Sequence, residues 1–320
     1  MGGDSAGLEK GGMALTQYLL RRFLRGLLTL WLVVTMVFVV LRLTGDPAQA
    51  LLPDDATQAQ IDAFNQRFGL DQPLPVQYVR YVQALLQGDF GDSLSEKQPV
   101  TTLVHGRLAA TLQLGLVAVI IALALGLPAG ILAALRHNSL GDRLLMLAAF
   151  AGQSAPNFFV GILLILIFSL HLRLLPSSGQ GSWQHLVLPA LTLSTGLMSS
   201  MARMMRSSLL EVMRQDYVRT ARAKGFAQPQ VILGHCLRNA AIPVLTLFGL
   251  SVGVLIGGAA ITETIFAWPG IGRFAVRAIA VRDYPLIQYI VLLVAASVVV
   301  TNFIVDILYG WIDPRIRTQV

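Results

Sequence analysis

This chain predicts an all-α integral membrane protein, and three observations carry that prediction. Apolar residues make up 55% of the 320 and charged ones only 13%, roughly half the charged share of a soluble domain. No aqueous fold of this size can hide so much apolar surface. Six apolar runs reach the about 20 helical residues that a bilayer takes, near 22–43, 109–134, 144–170, 188–208, 240–262 and 288–311. Lys and Arg are shared unevenly between the two sides these runs define. With both termini inside, the N-terminus, the 136–143 and 203–238 loops and the C-terminus hold 15 of the 24; the opposite side holds nine over much longer loops. Basic residues collect in cytoplasmic loops, so both ends are expected in the cytoplasm, which an even number of spans allows. The net charge of +7 would suggest nucleic acid in a soluble protein. Here it is accounted for by those loops, so the expected partner is the lipid bilayer and not nucleic acid.

Residues 1–12, MGGDSAGLEKGG, are glycine-rich, polar and without pattern. Met13 is a candidate start, and residues 1–17 are set aside as a disordered N-terminal extension. The first transmembrane helix is expected over 18–43. Arg21, Arg22 and Arg25 near its start and Ala48-Gln49-Ala50 behind it imitate a cleaved signal peptide. Its apolar run is longer than the roughly 7–15 residues of a signal core, and the Ala site lies behind Gly45-Asp46-Pro47, so an uncleaved anchor is the better reading. Residues 44–108 form an outer, periplasmic loop with two short amphipathic helices. Asp54 and Asp55 are placed to cap the first, whose Ile61, Phe64 and Phe68 keep helical spacing up to Gly69. The second opens at Pro75, carries Val76, Val79, Val82 and Leu86, and stops at Gly88. Both are expected on the bundle or at the membrane interface. Gly88-Asp89-Phe90-Gly91-Asp92 superficially imitates intramembrane aspartyl proteases but lies in a loop without a second membrane aspartate, and that reading is rejected.

Residues 109–317 are expected to form the core domain, with the other five spans. The third span is interrupted at Gly152-Gln153-Ser154-Ala155-Pro156-Asn157. Proline frees a carbonyl there, and polar backbone survives at membrane depth only against protein or a water-filled cavity. Discontinuous helices often line transport cavities; a proline kink braced by Ser154 and Asn157 explains the same residues equally well. Gly249, Gly253 and Gly257 on the fifth span are four apart, a small-residue face for internal packing or for a seam with a second subunit. Asp306, four residues after Asn302, is a functional candidate by type, although a structural hydrogen-bond partner near the interface is the plainer reading.

Catalytic chemistry is missing from the sequence. A Walker A loop needs a lysine directly after glycine, and the three lysines, Lys10, Lys97 and Lys224, follow Glu, Glu and Ala. There is no HExxH and no intramembrane carboxylate pair. The histidines at 105, 137, 171, 185 and 235 are scattered without metal-ligand spacing, and the single cysteine, Cys236, reads as inert.

The most informative stretch is 211–238, a polar, basic helix-loop-helix between long apolar runs. Arg214, Arg219, Arg222, Lys224 and Arg238 crowd it, and Leu210, Met213, Tyr217 and Ala221 recur at spacings of three and four as an apolar stripe on one helix. Gly225 falls where that helix should end, because glycine enters the left-handed conformation without steric cost. Pro229 suits the first turn of a second helix.

With DYVRTARAKGFAQPQVILGHCLRNAAIP from Asp216, the chain resembles the inner-membrane permeases of binding-protein-dependent ABC importers, in their dipeptide/oligopeptide/nickel branch. The family pattern is Glu-Ala-Ala, three residues, Gly, then nine residues before Ile-x-Leu-Pro. Aligned on Gly225, this chain has Arg219-Thr220-Ala221 for Glu-Ala-Ala, with His235 and Arg238 in place of the Ile and Pro. The peptide branch typically carries this looser version. RFGLDQPLPVQYVRYVQALLQGDFGDSL from Arg67, ETIFAWPGIGR from Glu263, VRDYPLIQ from Val281 and VDILYGWIDPRIR from Val305 match the branch too, and the likeness runs from about Tyr18 to Arg317.

The resemblance implies a type I ABC importer permease fold with six transmembrane helices and cytoplasmic coupling helices, in a bacterial inner membrane. It implies ATPase contact through Asp216, Tyr217, Arg219, Thr220, Ala221, Arg222, Lys224 and Gly225. ATP and magnesium would be bound by two partner ATPase subunits, with no cofactor in this chain. A second, homologous permease would complete the pathway, and a periplasmic binding protein, landing on the outer helices, would deliver the solute. That solute would be a dipeptide or oligopeptide first, with nickel chelates, glutathione and opines as alternatives. The segment from Glu263 to Arg273, rigid at Trp268-Pro269 and mobile at its glycines, faces the same side as Arg282-Asp283-Tyr284-Pro285. Together with Ser154, Pro156 and Asn157, the residues Glu263, Phe266, Trp268, Pro269, Gly270, Asp283 and Tyr284 are the candidate pathway and outer gate. An aromatic interface anchor at Trp268 and Tyr284 is the alternative. The competing function class, an ion-coupled secondary transporter or channel subunit, would need internal repeats and intramembrane charges, and no convincing repeat relates the six spans.

Overall fold

A computed structural model describes residues 5–43, 45, 48, 52–53 and 55–312, with backbone alone for 5–19, 250, 252–258 and 305–312. Among these residues every regular element is a helix. In chain order they are α1 (Ser5–Leu43), α2 (Gln58–Arg67), α3 (Leu74–Leu86), α4 (Val100–Leu135), α5 (Leu140–Ser154), α6 (Asn157–Leu164), α7 (Gln184–Val212), α8 (Asp216–Ala223), α9 (Leu237–Ile265), α10 (Ile271–Ala280) and α11 (Tyr284–Ile312). A π-helical stretch, Ile165–His171, continues α6; a single turn, Gln228–Gln230, and a second π stretch, Val231–Cys236, lead into α9. Gly253, Gly257 and Asp306 lie outside the residues whose side chains are described.

Five helical segments are long and apolar enough to cross a bilayer: Leu20–Leu43, Val100–Leu135, Gln184–Val212, Gln228–Gly249 and Tyr284–Ile304. A sixth is α5 with Asn157–His171, bent by 111°, if the pair is counted as one span. Each matches one of the six apolar runs. Large apolar side chains stand exposed along them, among them Met36 on α1, Leu116 on α4 and Leu147 on α5, as befits surfaces whose solvent is lipid. The helix of the first span begins at Ser5, inside the stretch read as an unpatterned extension. Once a stable span exists, propagation adds one hydrogen bond for each residue fixed and needs no new nucleus.

The chain divides into two compact units, Met1–Ala110 with Pro269–Val300, and Thr111–Trp268 with Thr301–Val320. The first unit therefore takes in a stretch that the sequence reading assigned to the 109–317 core. Its own core is Val100, Val104, Ile271, Phe274, Ala278, Leu286, Ile287, Tyr289 and Ile290. In it Phe90 packs on Tyr289 with ring centroids 4.6 Å apart, and the Arg107 guanidinium lies 3.8 Å above the Phe274 ring. The loop before α2 departs from expectation. Its cap is Thr57, whose N–H donates to the Gln60 side chain at 2.8 Å, and not Asp55; Asp54 lies outside the described residues. A Thr with Gln three residues on is a capping box, which satisfies donors in both directions. Helix α3 turns its valine stripe outward: Val76, Val79 and Leu86 are exposed, while Gln77 is buried and donates to the carbonyls of Leu70 and Gln72 at 3.0 and 2.6 Å. Its protein-facing side is aromatic instead, with Tyr78 and Tyr81 against Phe38 of α1. An apolar face turned away from protein belongs at a membrane surface.

The second unit is organised around α7, the most buried of the candidate spans. Two glycines of α4 lie directly on its backbone. A Cβ at Gly126 would stand 2.6 Å from the Met198 carbonyl oxygen, and one at Gly130 would stand 2.4 Å from that of Ala202. The bent pair runs along α7 in the opposite sense: Asp142 meets Arg206, Gly152 faces Ser199 and Thr195, and Gly161 faces Thr192. The bend itself has a local cause. A residue before proline is driven to extended backbone, and Ala155 stands at ψ 129° with Pro156 at ψ 139° before the helix resumes at Asn157.

Candidate functional site

The segment expected to dock a partner is built from a turn, a short helix and a glycine stop. Helix α7 ends at Val212, and Met213 to Gln215 make a turn before α8 opens at Asp216. The stripe Leu210, Met213, Tyr217, Ala221 is therefore not on one helix; its periodicity was read across a turn. The buried positions of α8 are Val218 and Ala221, one turn apart, and α8 packs against Val231–Cys236, where Val231, Ile232 and Cys236 are buried. Tyr217 is exposed, and its hydroxyl accepts from Asn239 Nδ2 at 2.7 Å.

Helix α8 ends as expected. Gly225 has φ +83°, its N–H donates to Arg222 O at 3.0 Å, and the Phe226 N–H reaches Ala221 O at 3.4 Å. These are the paired bonds of a Schellman stop. Pro229 sits in the first turn of Gln228–Gln230, and the Ala227 N–H donates to Gln230 Oε1 at 3.1 Å. The exposed residues include a polar, mostly basic set, Arg214, Asp216, Arg219, Thr220, Arg222, Lys224 and Arg238, beside the apolar Phe226 and Leu233. Arg219 and Asp216 approach to 3.6 Å with side chains 78% and 97% exposed, a pair that solvent screens to little consequence. Its charges are thus free to meet a partner.

Beside this segment lies a pair that sequence reasoning missed. Arg206 of α7 grips the buried Asp142 with both arms, Nε to Oδ1 at 2.6 Å and Nη2 to Oδ2 at 2.7 Å. The Asn138 N–H donates to the same carboxylate at 2.9 Å, and His137 Nδ1 lies 3.1 Å from the guanidinium. Ser139 caps α5 by accepting from the Asp142 N–H at 3.2 Å. The signal was present: Ser139 with an acidic residue three positions on, just before an apolar run, is a helix-start pattern.

The candidate gate residues fall in different units. In the second unit, Glu263 is fully buried and accepts from Thr111 Oγ1 at 2.6 Å. Trp268 is buried, with its N–H on the Glu263 carbonyl at 2.8 Å. The buried Phe266 lies over Gly161, where a Cβ would come within 3.2 Å of its ring, and its carbonyl accepts from the Gly179 N–H at 2.8 Å. Ala267 between them has φ +50°, an uncommon conformation for a residue with a side chain. At the bend, Ser154 and Pro156 are exposed and Asn157 is half-buried.

In the first unit, Pro269 and Gly270 lead into α10, and Asp283 caps α11 from a fully buried position. Its carboxylate accepts from Ser93 Oγ and Ser95 Oγ at 2.6 and 2.7 Å, and from the N–H groups of Leu94, Ser95 and Leu286 at 3.1, 3.0 and 3.4 Å. Arg277 of α10 reaches Glu96 of the same loop at 3.5 Å. The Tyr284 hydroxyl donates to the Gly45 carbonyl, and Arg42 lies 5.2 Å above the Tyr284 ring. Asp283 and Tyr284 thus tie α11 to the loop before α4 and to the end of α1. Sequence reasoning found both residues but not the serines that bind Asp283.

None of these clusters sets a nucleophile against a base, and among the described residues no group of three or more His, Cys, Asp or Glu could hold a metal ion. What they offer is an exposed basic segment, a bent helix pair and capped loops.

Comparison with known proteins gives this arrangement its context. Residues 126–318 match the family of binding-protein-dependent transport system inner membrane components, and residues 15–115 match the N-terminal membrane component of the same systems. The chain belongs to this permease family. The glutathione transport system permease protein GsiC of Salmonella typhimurium (strain LT2) is 45% identical to it over 94% of this chain and 98% of that protein. GsiC of Escherichia coli (strain K12) is 43% identical over the same shares. The inward-facing MetNI methionine ABC transporter superposes with a TM-score of 0.55 at 19% identity, covering 67% of this chain and 98% of that one; it establishes the ABC importer permease fold. This permease is accordingly a multi-pass inner-membrane protein and the non-catalytic membrane component of a binding-protein-dependent ABC importer. Permeases of the family act with a binding protein, an ATPase and a paired permease. Membership also sets aside the ion-coupled secondary transporter.

Proposed function

We propose that this permease forms half of the translocation pathway for a short peptide, with glutathione the first candidate solute. The observation that carries the solute is the 45% identity to glutathione permeases along nearly their whole length. It reorders the sequence reading, which put dipeptides and oligopeptides first; those remain the second reading, because the motifs from Arg67 and Val281 are common to the whole peptide branch. Both termini lie in the cytoplasm, as the Lys and Arg distribution implies. Residues Asp216 to Gly225 seat in a cleft of one of two ATPase subunits, which bind the ATP and magnesium. The pathway runs past the bend at Ser154, Pro156 and Asn157, between this chain and a second, homologous permease. The loops carrying Glu263 to Gly270 and Asp283-Tyr284 close it on the outside.

The solute is tested on the cognate binding protein and on the assembled importer in proteoliposomes. Calorimetry against glutathione, Ala-Ala, a tetrapeptide and a nickel chelate should give its tightest binding with glutathione. ATP-dependent uptake should follow the same order. Tighter binding and faster uptake of Ala-Ala would move the assignment to dipeptides.

A further inference from the structure

Helix α5 is fastened to α7 at both ends. At its start the bidentate Asp142–Arg206 pair, supported by the Asn138 N–H and by His137, joins the 136–143 turn to α7 at Arg206. At its other end Gly152 lies so close to α7 that a Cβ there would stand 2.7 Å from Ser199 Oγ and 3.1 Å from Thr195 Cγ2. The two fastenings are in register. Asp142 and Gly152 are ten residues apart, about 15 Å of helix, and Arg206 and Thr195 are eleven apart, about 16 Å. A carboxylate buried this deeply, with a guanidinium aligned on both oxygens, has no equally good partner to move to; separating the two leaves a buried charge unmatched. Two turns beyond Arg206, α7 ends and the turn into α8 begins. At the far end of α5 comes the 111° bend.

We propose that Arg206 is a positioning residue for transport: through Asp142 it makes α5 travel with α7, so that displacement of the 211–225 segment is delivered to the bend at Ser154–Asn157. This rests on the reading of that segment as the ATPase contact. Arg206 and Asp142 touch neither solute nor ATPase; they act by keeping the two ends of the transmission in step. Without the pair, α7 slides along α5, ATP is still hydrolysed, and the bend no longer follows.

The experiment compares Arg206→Met, Asp142→Asn and Arg206→Lys with the parent importer in proteoliposomes, with its own binding protein and ATPases present. The reading is solute taken up per ATP hydrolysed, for each assembled complex. A role confined to stability would lower the number of complexes and leave that ratio unchanged. Arg206→Met and Asp142→Asn should retain their ATPases and hydrolyse ATP, yet lose about tenfold in the ratio. Arg206→Lys keeps a charge on α7 but not the two-armed grip, and should fall between them and the parent; it also serves if Arg206→Met does not accumulate. A parental ratio in all variants that assemble overturns the proposal. So does loss of the ATPases from Arg206→Met or Asp142→Asn complexes, because the pair would then support the docking surface itself. Failure of the underlying docking assignment shows differently, as a parental ratio with ATPases bound when Gly225 is replaced.

Discussion

At Gly225 the backbone stands at φ +83° with nothing within 4 Å of where a Cβ would be. Substitution there is opposed by the main chain alone, by about 1 kcal/mol or more for most side chains and less for asparagine. Gly225→Asn should therefore keep most coupled uptake, while Gly225→Val, β-branched and least tolerant of positive φ, should insert normally but lose several-fold in uptake per ATP. If Gly225→Val transports like the parent with its ATPases bound, the 216–225 segment is not the contact. Asp283 is a residue of the opposite kind: no backbone rule fixes it, but five donors converge on its buried carboxylate. Gly225 was legible in the sequence because a helix stop is a local event, written within a few residues of itself. Asp283 could be named from its place before an apolar run, but four of its five donors lie about 190 positions earlier in the chain, and nothing in either stretch announces the other.

Helices divide along the same line. The six apolar runs, the interruption at Ser154–Asn157 and the stops at Gly69, Gly88 and Gly225 were readable, since each depends on composition or on one residue's backbone. The faces were not: α3 buries Gln77 and half-buries its tyrosines while Val76 and Val79 point outward, because in lipid an apolar stripe is as content against solvent as against protein. Close approach between helices is equally hidden until both partners are seen. On α4, Gly126 and Gly130 lie against the α7 carbonyls, whereas Gly115 of the same helix meets nothing within 4 Å. Gly130→Val must push α4 off α7 at a cost typical of overpacking, about 1–3 kcal/mol or more. In detergent, Gly130→Val should lower the thermal unfolding midpoint by several degrees, and Gly115→Val should leave it within a degree or so. Equal shifts would mean that the glycines serve only to loosen α4.

For the molecule as a whole the open question is how many times the chain crosses, since α5 and α6 with the π stretch are bent by 111° and satisfy the length test only together. The α4–α7 contact decides between a crossing and a re-entrant loop. Gly126 meets Met198 and Gly130 meets Ala202, so residue numbers rise together and the two helices run in the same direction. A re-entrant pair between them would return the chain to the side where α4 ended, and α7 would then have to run opposite to α4. A single crossing restores the observed direction, and Asp142 to Arg206 followed by Gly161 to Thr192 traces that crossing along α7 in the opposite sense. An even count of crossings is what the proposed orientation requires, with both termini in the cytoplasm on the strength of the Lys and Arg distribution. Reporter fusions at Asp71 and Gln180 should accordingly read external, and fusions at Ser139 and Gln228 internal. Gln180 is the sensitive position: an internal signal there, with Ser139 also internal, would make the bent pair re-entrant and turn the α4–α7 direction into a contradiction. A cytoplasmic signal at Asp71 would instead overturn the whole topology.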